Sequence, residues 1–254
     1  AKNLVIACGG LAGNSTGSDG SLFDIIKSLG HSIIKPLPAL NAIKTVKHEF
    51  AGLRCSAEIK AYIDGGDTQV LLESEVGELQ FTEQGIGGIP VMQLSGKIAR
   101  KLDGGSKLYF VIDFCYDKSE EELERILKKR RDLLAERISD KFLTGFTYEK
   151  ISKYITNQLL DDKISVGKIT DNKIIMILKW LKEAKFDIIT INGFESAQTT
   201  SGGVSMDEVT DSLESKLVPG LFFAGEVLDV DGLCGGYNLT WAFASAFEVG
   251  NGGR

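Results

Sequence analysis

The sequence has little of what metal centres, disulfide scaffolds and membrane anchors need. Only two histidines, His31 and His48, occur in 254 residues, so no His-rich metal cluster can be built. The four cysteines, Cys8, Cys55, Cys115 and Cys234, are scattered and form no Cys-x-x-Cys pair. That points away from a zinc site and from a disulfide framework. No apolar run reaches the ~20 residues that span a bilayer. A basic N-terminal region followed by a long apolar core, the mark of a secretory leader, is not visible. Basic charge is not in excess either: the net charge of −6 argues against a dedicated nucleic-acid binder. These absences lead to the expectation of a reduced, cytoplasmic protein that engages neither membrane nor nucleic acid. What the chain does have is apolar residues, 43% of the total, ample for one large or two to three small domains.

The first forty residues have α/β character. Leu4, Val5, Ile6 and Ala7 run into Cys8-Gly9-Gly10-Leu11-Ala12-Gly13, as a buried strand feeds the glycine turn of a dinucleotide-binding fold. Cys8, however, stands where the first glycine of Gly-x-Gly-x-x-Gly belongs. Asn14–Gly20 is loop-like where a helix should start, and the next strand-like run, "SIIK", closes on Lys35 rather than on an acid. The stretch is therefore not expected to be the first nucleotide turn. Leu22, Ile25, Ile26 and Leu29 follow at helical spacing, Gly30 is a natural stop, and Pro36 and Pro38 mark the exit.

From 41 to 114 the pattern changes. Cys55, Ala57, Ile59 and Ala61 alternate with polar neighbours, and "QVLLESE", "GELQFTE" and "SKLYFVIDF" are strand-like. Glycine pairs at 65–66 and 104–105 suggest hairpin turns. A small antiparallel barrel or sandwich is expected here. Residues 116–186 then predict helices. Ser119 and Glu122 form a capping box, followed by an apolar face of Leu123, Ile126, Leu127, Leu133, Leu134 and Ile138. Ile151, Tyr154, Ile155 and Leu159 make a second face. Asp171 is the expected cap of a third helix that buries Ile174, Ile175, Leu178 and Leu181. Lys128–Arg131 is expected to be a solvated helix face. From 187, "FDIITING" and Leu221–Ala224 resume buried-strand character. The expected organisation is therefore 1–40 and 187–254 in one α/β domain, interrupted by a barrel at 41–115 and a helical subdomain at 116–186.

"GLFFAGEVLDVDGLCGGYNLTWA" is the most informative stretch. It predicts a strand, an acidic turn at Gly225-Glu226, a loop, and Gly235-Gly236 at the start of an apolar helix. Such a helix start attracts phosphate and other electron-rich groups, and glycines let a ligand approach the backbone. Glu226 could accept hydrogen bonds from ribose-like or ribitol-like hydroxyls.

This segment resembles the C-terminal flavin-binding segment of bacterial aminoacetone-oxidase-like flavoproteins, a family of NAD(P)/FAD-dependent oxidoreductases. "AQTTSGGVSMDEV" at 197–209, "GELQFTEQGIGGIPVMQLS" at 77–95 and "ACGGLAGNSTGSDGSLFDIIKSLGHSIIKPLPAL" extend the likeness over most of the chain. Glu83 stands where the family usually has His, and Gly88 where Ser is common. The resemblance implies the C-terminal part of a two-part, Rossmann-like FAD domain carrying an inserted barrel and helices. The family's opening strand, Gly-x-Gly-x-x-Gly turn and helix have no counterpart here, so the chain is expected to begin inside the parent protein, to cut its last helix short at "EVGNGGR", and to hold FAD weakly or not at all by itself. The implied activity is flavin-dependent oxidation or reduction of a small molecule, with NAD(P)H as a candidate electron donor. The implied FAD contacts are Gly225, Glu226, Gly235, Gly236, Tyr237 and Asn238, with Glu226 on the ribitol side and Gly9 and Gly10 near the adenine half. Cys234, His31 and His48 are expected to be structural, and no residue pattern points to a catalytic base. The competing expectation is a non-catalytic interaction module made mainly of the barrel and helices.

Overall fold

The computed structural model of the protein describes residues 1–66, 68–160 and 164–252. Along the chain run β1 (Leu4–Ile6), α1 (Phe23–Ser28), β2 (Ile33–Ala39), β3 (Ile43–Thr45), β4 (Arg54–Asp64), β5 (Gln69–Phe81), β6 (Gly85–Gly87) and α2 (Ile89–Asp103). There follow β7 (Leu108–Asp113), α3 (Glu120–Leu133), α4 (Glu149–Leu159), α5 (Asp171–Lys182), β8 (Ala184–Ile191), β9 (Thr199–Val204), β10 (Leu221–Phe223) and α6 (Tyr237–Gly252). They group into two compact units: Ala1–Ile43, Val91–Gly105 and Thr190–Arg254 in the first, Lys44–Pro90 and Ser106–Ile189 in the second.

In the first unit β1 and β10 pair in parallel, with Leu4 opposite Leu221 and Ile6 opposite Phe223. The two ends of the chain thus meet in one small sheet. β2 pairs antiparallel with β9, Ala39 opposite Thr199. Ile6, Phe23, Ile26, Val204, Phe223, Val227 and Leu228 form the core. Phe23 and Ile26 are the inward residues of α1, while Ile25 and Leu29 are exposed, so its buried face is narrower than the spacing predicts. Gly30, at φ +98°, ends that helix as expected. Two elements of this unit leave large apolar side chains exposed. On α6, Leu239, Phe243 and Phe247 recur at helical spacing yet are 67%, 75% and 72% exposed, and Leu4 and Val5 of β1 are 57% and 49% exposed.

The second unit is built on a closed barrel of order β3-β6-β5-β4-β7-β8. The alternation in β4 is the cause: Cys55, Ala57, Ile59 and Ala61 all point inward and are at most 2% exposed. Ile59 lies opposite Ile112 and Ala61 opposite Phe110 on β7, and Phe110 lies opposite Phe186 on β8. "FDIITI" is therefore a barrel strand with alternating burial, not a buried strand of the α/β part, and it runs across the expected junction at 186. The stretch 41–114 is not all strand either. Pro90, in the first turn of α2, opens a helix that buries Val91, Leu94 and Ile98, and Gly104-Gly105 ends this helix instead of turning a hairpin. Gly65-Gly66 does join β4 to β5.

The helices of the second unit follow their caps. Ser119 Oγ accepts from Glu122 N–H at 3.1 Å, closing the predicted start of α3. That helix stops at Leu133, which is 74% exposed, so the apolar face does not continue to Ile138. Thr170, not Asp171, caps α5, accepting from Lys173 N–H at 3.3 Å. Asp171 instead binds Arg131 at 2.5 Å, and Arg131 also donates to the Ile169 carbonyl at 3.1 Å. Arg130 donates to the carbonyls of Phe142 and Thr144. The basic run is thus a free solvated face only at Lys129: the two arginines donate to loop carbonyls, and Lys128 pairs with Glu124 at 2.7 Å. Ile177, not Ile175, is the buried isoleucine in the second turn of α5. The last residues of "EVGNGGR", Gly253 and Arg254, lie outside the described residues.

Candidate functional site

The predicted acidic turn sits where β10 ends. Gly225 has φ +78°, and its backbone is tied to α6 from both sides: its N–H donates to Ser245 Oγ at 2.9 Å, and Trp241 Nε1–H donates to its carbonyl at 3.2 Å. Glu226 follows, half-buried, and both oxygens of its carboxylate have protein donors. Oε1 accepts from Thr199 Oγ1 at 2.8 Å and Thr200 N–H at 2.6 Å, while Oε2 accepts from Gly10 N–H at 3.4 Å. The side chain expected to reach toward ribitol hydroxyls therefore acts first as a clamp between the opening glycine turn and β9.

That clamp has a second jaw. Thr200 Oγ1 accepts from Leu11 N–H at 2.8 Å and Ala12 N–H at 3.0 Å. A Cβ on Gly10 would lie 2.4 Å from the same oxygen, so only glycine allows this approach. The N–H groups of Gly10, Leu11 and Ala12 all donate to protein acceptors, Glu226 and Thr200. Gly9, at φ +74°, is covered by Ser18, whose Oγ would lie 2.1 Å from a Cβ there. Of the two glycines assigned by resemblance to the adenine half, Gly10 is thus bonded to Glu226 and Gly9 is packed under Ser18.

Beyond Glu226 the loop turns back to α6. Asn238 braces it, accepting from Gly232 N–H at 2.8 Å and donating to the Gly232 carbonyl at 3.0 Å. Gly235 and Gly236 have φ of +123° and +94°, and an added Cβ on Gly236 would meet nothing within 4 Å. Both glycines belong to the lining of a cavity of about 370 Å³, with Leu40, Gln198, Thr199, Glu226, Leu233, Cys234, Asn238, Leu239 and Ala242. Of the expected contacts, Glu226, Gly235, Gly236 and Asn238 line it. Gly225 stands behind it, and Tyr237 is 62% exposed, its Cβ only 2.9 Å from where a Cβ on Gly232 would be.

Several residues here carry no signal at sequence level. Leu40, a wall of the cavity, is buried with φ +47°, a conformation a branched residue adopts only under constraint from its surroundings. Asn41 supplies it, donating to the carbonyls of Asn192 and Gly193 at 3.0 Å each and accepting from Ala42 N–H at 2.9 Å. Arg100 of α2 donates to Ser201 Oγ at 3.1 Å and to the Lys35 carbonyl at 2.7 Å, and faces Asp229 at 3.8 Å. Burial pushes the Asp231 carboxyl above its usual range, against a hydrogen bond with Ser201 that lowers it. Thr199 and Thr200 lie in the quoted "AQTTSGG" segment, but only the fold reveals them as partners of Glu226. His31, expected to be structural, is 3% exposed, with Nδ1 3.0 Å from Glu208 and Nε2 2.8 Å from Ser215 Oγ.

In the second unit the two departures at 83 and 88 are far from equal. Glu83 is exposed in the β5–β6 turn. Gly88 has φ +100°, and a Cβ there would lie 2.2 Å from the Glu78 carbonyl oxygen, so a serine does not fit this backbone. No group of three or more His, Cys, Asp or Glu among the described residues is arranged to hold a metal ion, and no described helix is long and apolar enough to cross a membrane.

The sequence profile of the HI0933-like protein Rossmann domain matches residues 1–252. The chain belongs to this family. It is 35% identical over 98% of its length to a 3-dehydro-bile acid delta(4,6)-reductase of Clostridium scindens. It is 26% identical, over 97% of its length in each case, to the ribosomal RNA dihydrouridine synthases of Haemophilus influenzae and Escherichia coli. The chain spans 61% of the length of the first of these relatives and 59% of the other two.

Proposed function

We propose that this chain is the larger part of an FAD-dependent reductase that saturates a ring C=C bond in a small molecule. The observation that carries the reading is the cavity over Gly235 and Gly236, where backbone at positive φ is left open and a side chain would occupy the space a ligand needs. Its lining suits a flavin. Leu40, Leu239 and Ala242 offer apolar walls, while Gln198, Thr199 and Glu226 offer polar edges. The first N–H groups of α6 lack intrahelical acceptors and favour electron-rich atoms. FAD, when bound, would supply the two-electron redox chemistry, replenished from NAD(P)H. Glu226, held on three hydrogen bonds, would keep its carboxylate fixed at the cavity edge, and Asn238 would hold the loop that closes it.

The substrate class rests on the relatives. Both printed activities, reduction of a 3-dehydro bile acid and formation of dihydrouridine, are reductions of an unsaturated ring. The more similar relative acts on a small molecule, and the net charge of −6 suits that better than RNA. The uncovered α6 and β1 faces support the rest of the reading. Parallel sheets are covered on both faces in folded proteins, so the exposed Leu4, Val5, Leu239, Phe243 and Phe247 fit a further strand-and-helix unit of the same FAD domain, which would hold the pyrophosphate. The test is the full-length protein. It should show flavin absorbance that bleaches anaerobically with NADH or NADPH and returns on adding a ring enone. A colourless full-length protein that takes up no added FAD overturns the proposal.

A further inference from the structure

The second unit holds a cavity of its own, about 350 Å³, that the proposed reductase site does not use. Its walls come from the β3–β4 connection, α4, α5 and β8: His48, Phe50, Tyr154, Gln158, Trp180 and Phe186. These rings are already packed against one another. Phe50 meets Tyr154 at 5.1 Å and Phe186 at 5.9 Å between ring centroids; Tyr154 meets Trp180 at 5.1 Å; and Phe114 stacks on Trp180 at 5.5 Å and 13°. Such a cavity is preformed, so a ligand entering it has little side-chain ordering to impose.

Two ring donors at this cavity have no acceptor on the described residues. Neither the Trp180 Nε1–H nor the Tyr154 hydroxyl has a hydrogen-bond partner among the described residues; both residues are half-buried, so a ligand here would take these groups over from water. The Gln158 amide adds further capacity. His48 offers none: its Nδ1 accepts from Phe50 N–H at 3.2 Å and its Nε2 faces the Gly85 carbonyl at 3.4 Å. Burial also holds its imidazole below its usual pKa, in the neutral form. The rim charges cancel, Lys47 and Lys185 against Glu49 and Asp187, with Lys185 3.8 Å from Asp187 and lying over the Tyr109 ring.

We infer that this cavity is a binding site for an uncharged, flat ring compound bearing a carbonyl or comparable acceptor. The aromatic walls select a planar ring; the unpaired indole N–H and phenol O–H select an acceptor on its edge; the balanced rim gives no advantage to an ion. The inference stands on these residues alone and does not depend on the flavin reading.

Quinolin-2-one, a planar bicyclic lactam, is a suitable probe, and caprolactam, a lactam without a flat ring system, is its control. The chain has two tryptophans, Trp180 and Trp241, so the indole N–H resonances of the ¹⁵N-labelled protein separate the sites. Titration should shift the Trp180 resonance saturably and leave Trp241 unmoved, while caprolactam shifts neither. Tyr154→Phe should weaken binding about fivefold, the fold-change of one ordinary hydrogen bond, and this surface-accessible change keeps the fold. Absence of a saturable shift up to the solubility of quinolin-2-one overturns the inference. So does equal binding of caprolactam, or a Tyr154→Phe variant that binds as the parent does.

Discussion

The clamp between the opening glycine turn and β9 makes Glu226 the residue whose loss the first unit should feel most. Glu226→Ala strips the acceptor from Thr199 Oγ1 and from Thr200 N–H, on residues that are 1% and 0% exposed. Both threonines are buried, so water reaches their donors only by way of the cavity that Thr199 and Glu226 line. Each buried donor left unpaired costs about 1–3 kcal/mol, so two of them give about 2–6 kcal/mol. The longer bond from Gly10 N–H, at 3.4 Å, adds little. Set against the ~5–15 kcal/mol that holds a typical domain together, this loss is large. Glu226→Gln keeps one carbonyl oxygen for the two threonine donors and turns an amide toward Gly10, so it should cost only about 1 kcal/mol. Urea unfolding in a Trp180→Phe background, where emission comes from Trp241 in the first unit, measures both. A Glu226→Ala variant within ~0.5 kcal/mol of the parent would refute the reasoning, since it would mean the threonine donors are satisfied elsewhere.

Three further outcomes follow from groups elsewhere. The hydrogen bond from Ser32 N–H, aided by His31, holds the Glu208 carboxyl below its usual range. Its stabilising effect is therefore complete above the ordinary glutamate pKa of ~4.3 and lost as pH falls through the lower folded value; Glu208→Gln should flatten the acid limb of a stability–pH curve read from Trp241. Lys182 Nζ lies 2.6 Å from Asp113 Oδ2, with both side chains largely buried, so Lys182→Met should destabilise the barrel by about 3–5 kcal/mol, and adding Asp113→Asn should recover part of it in a double-mutant cycle. Burial pushes the Cys55 thiol up to about 12 and the Cys115 thiol up to about 11, so iodoacetamide at pH 8 should leave both unmodified by mass spectrometry until the protein is unfolded.

What the sequence discloses follows from how local each cause is. The alternation of Cys55, Ala57, Ile59 and Ala61 is written in four residues and needs only a strand to express it, so the barrel is legible. The Ser119 cap and the Gly30 stop are equally local. The α2 helix is hidden because Val91, Leu94 and Ile98 sit among strand-like runs and carry no cap beyond Pro90. Arg130 and Arg131 look like surface charge until the loops at 142–144 and 169 bring carbonyls to them. At the site, Gly235 and Gly236 are visible because positive φ needs glycine. Leu40 is invisible because its strain is imposed by Asn41 and the backbone at 192–193. The Glu226–Thr200–Gly10 clamp joins residues 26 and 216 positions apart, and no local pattern announces a contact at that distance.

The central claim is that the open glycine backbone at the start of α6 holds the flavin. Gly236→Val and Gly105→Val impose the same kind of strain, at φ +94° and +81°, and neither added Cβ meets an atom within 4 Å. Each should cost about 1–3 kcal/mol of folding stability, but only Gly236 lines the cavity. FAD titration of the apo full-length protein and of both variants separates strain from ligand contact. The account predicts that Gly236→Val weakens FAD binding more than tenfold, ~1.4 kcal/mol or more, while Gly105→Val binds as the parent does. A Gly236→Val protein that binds FAD with parental affinity would contradict it.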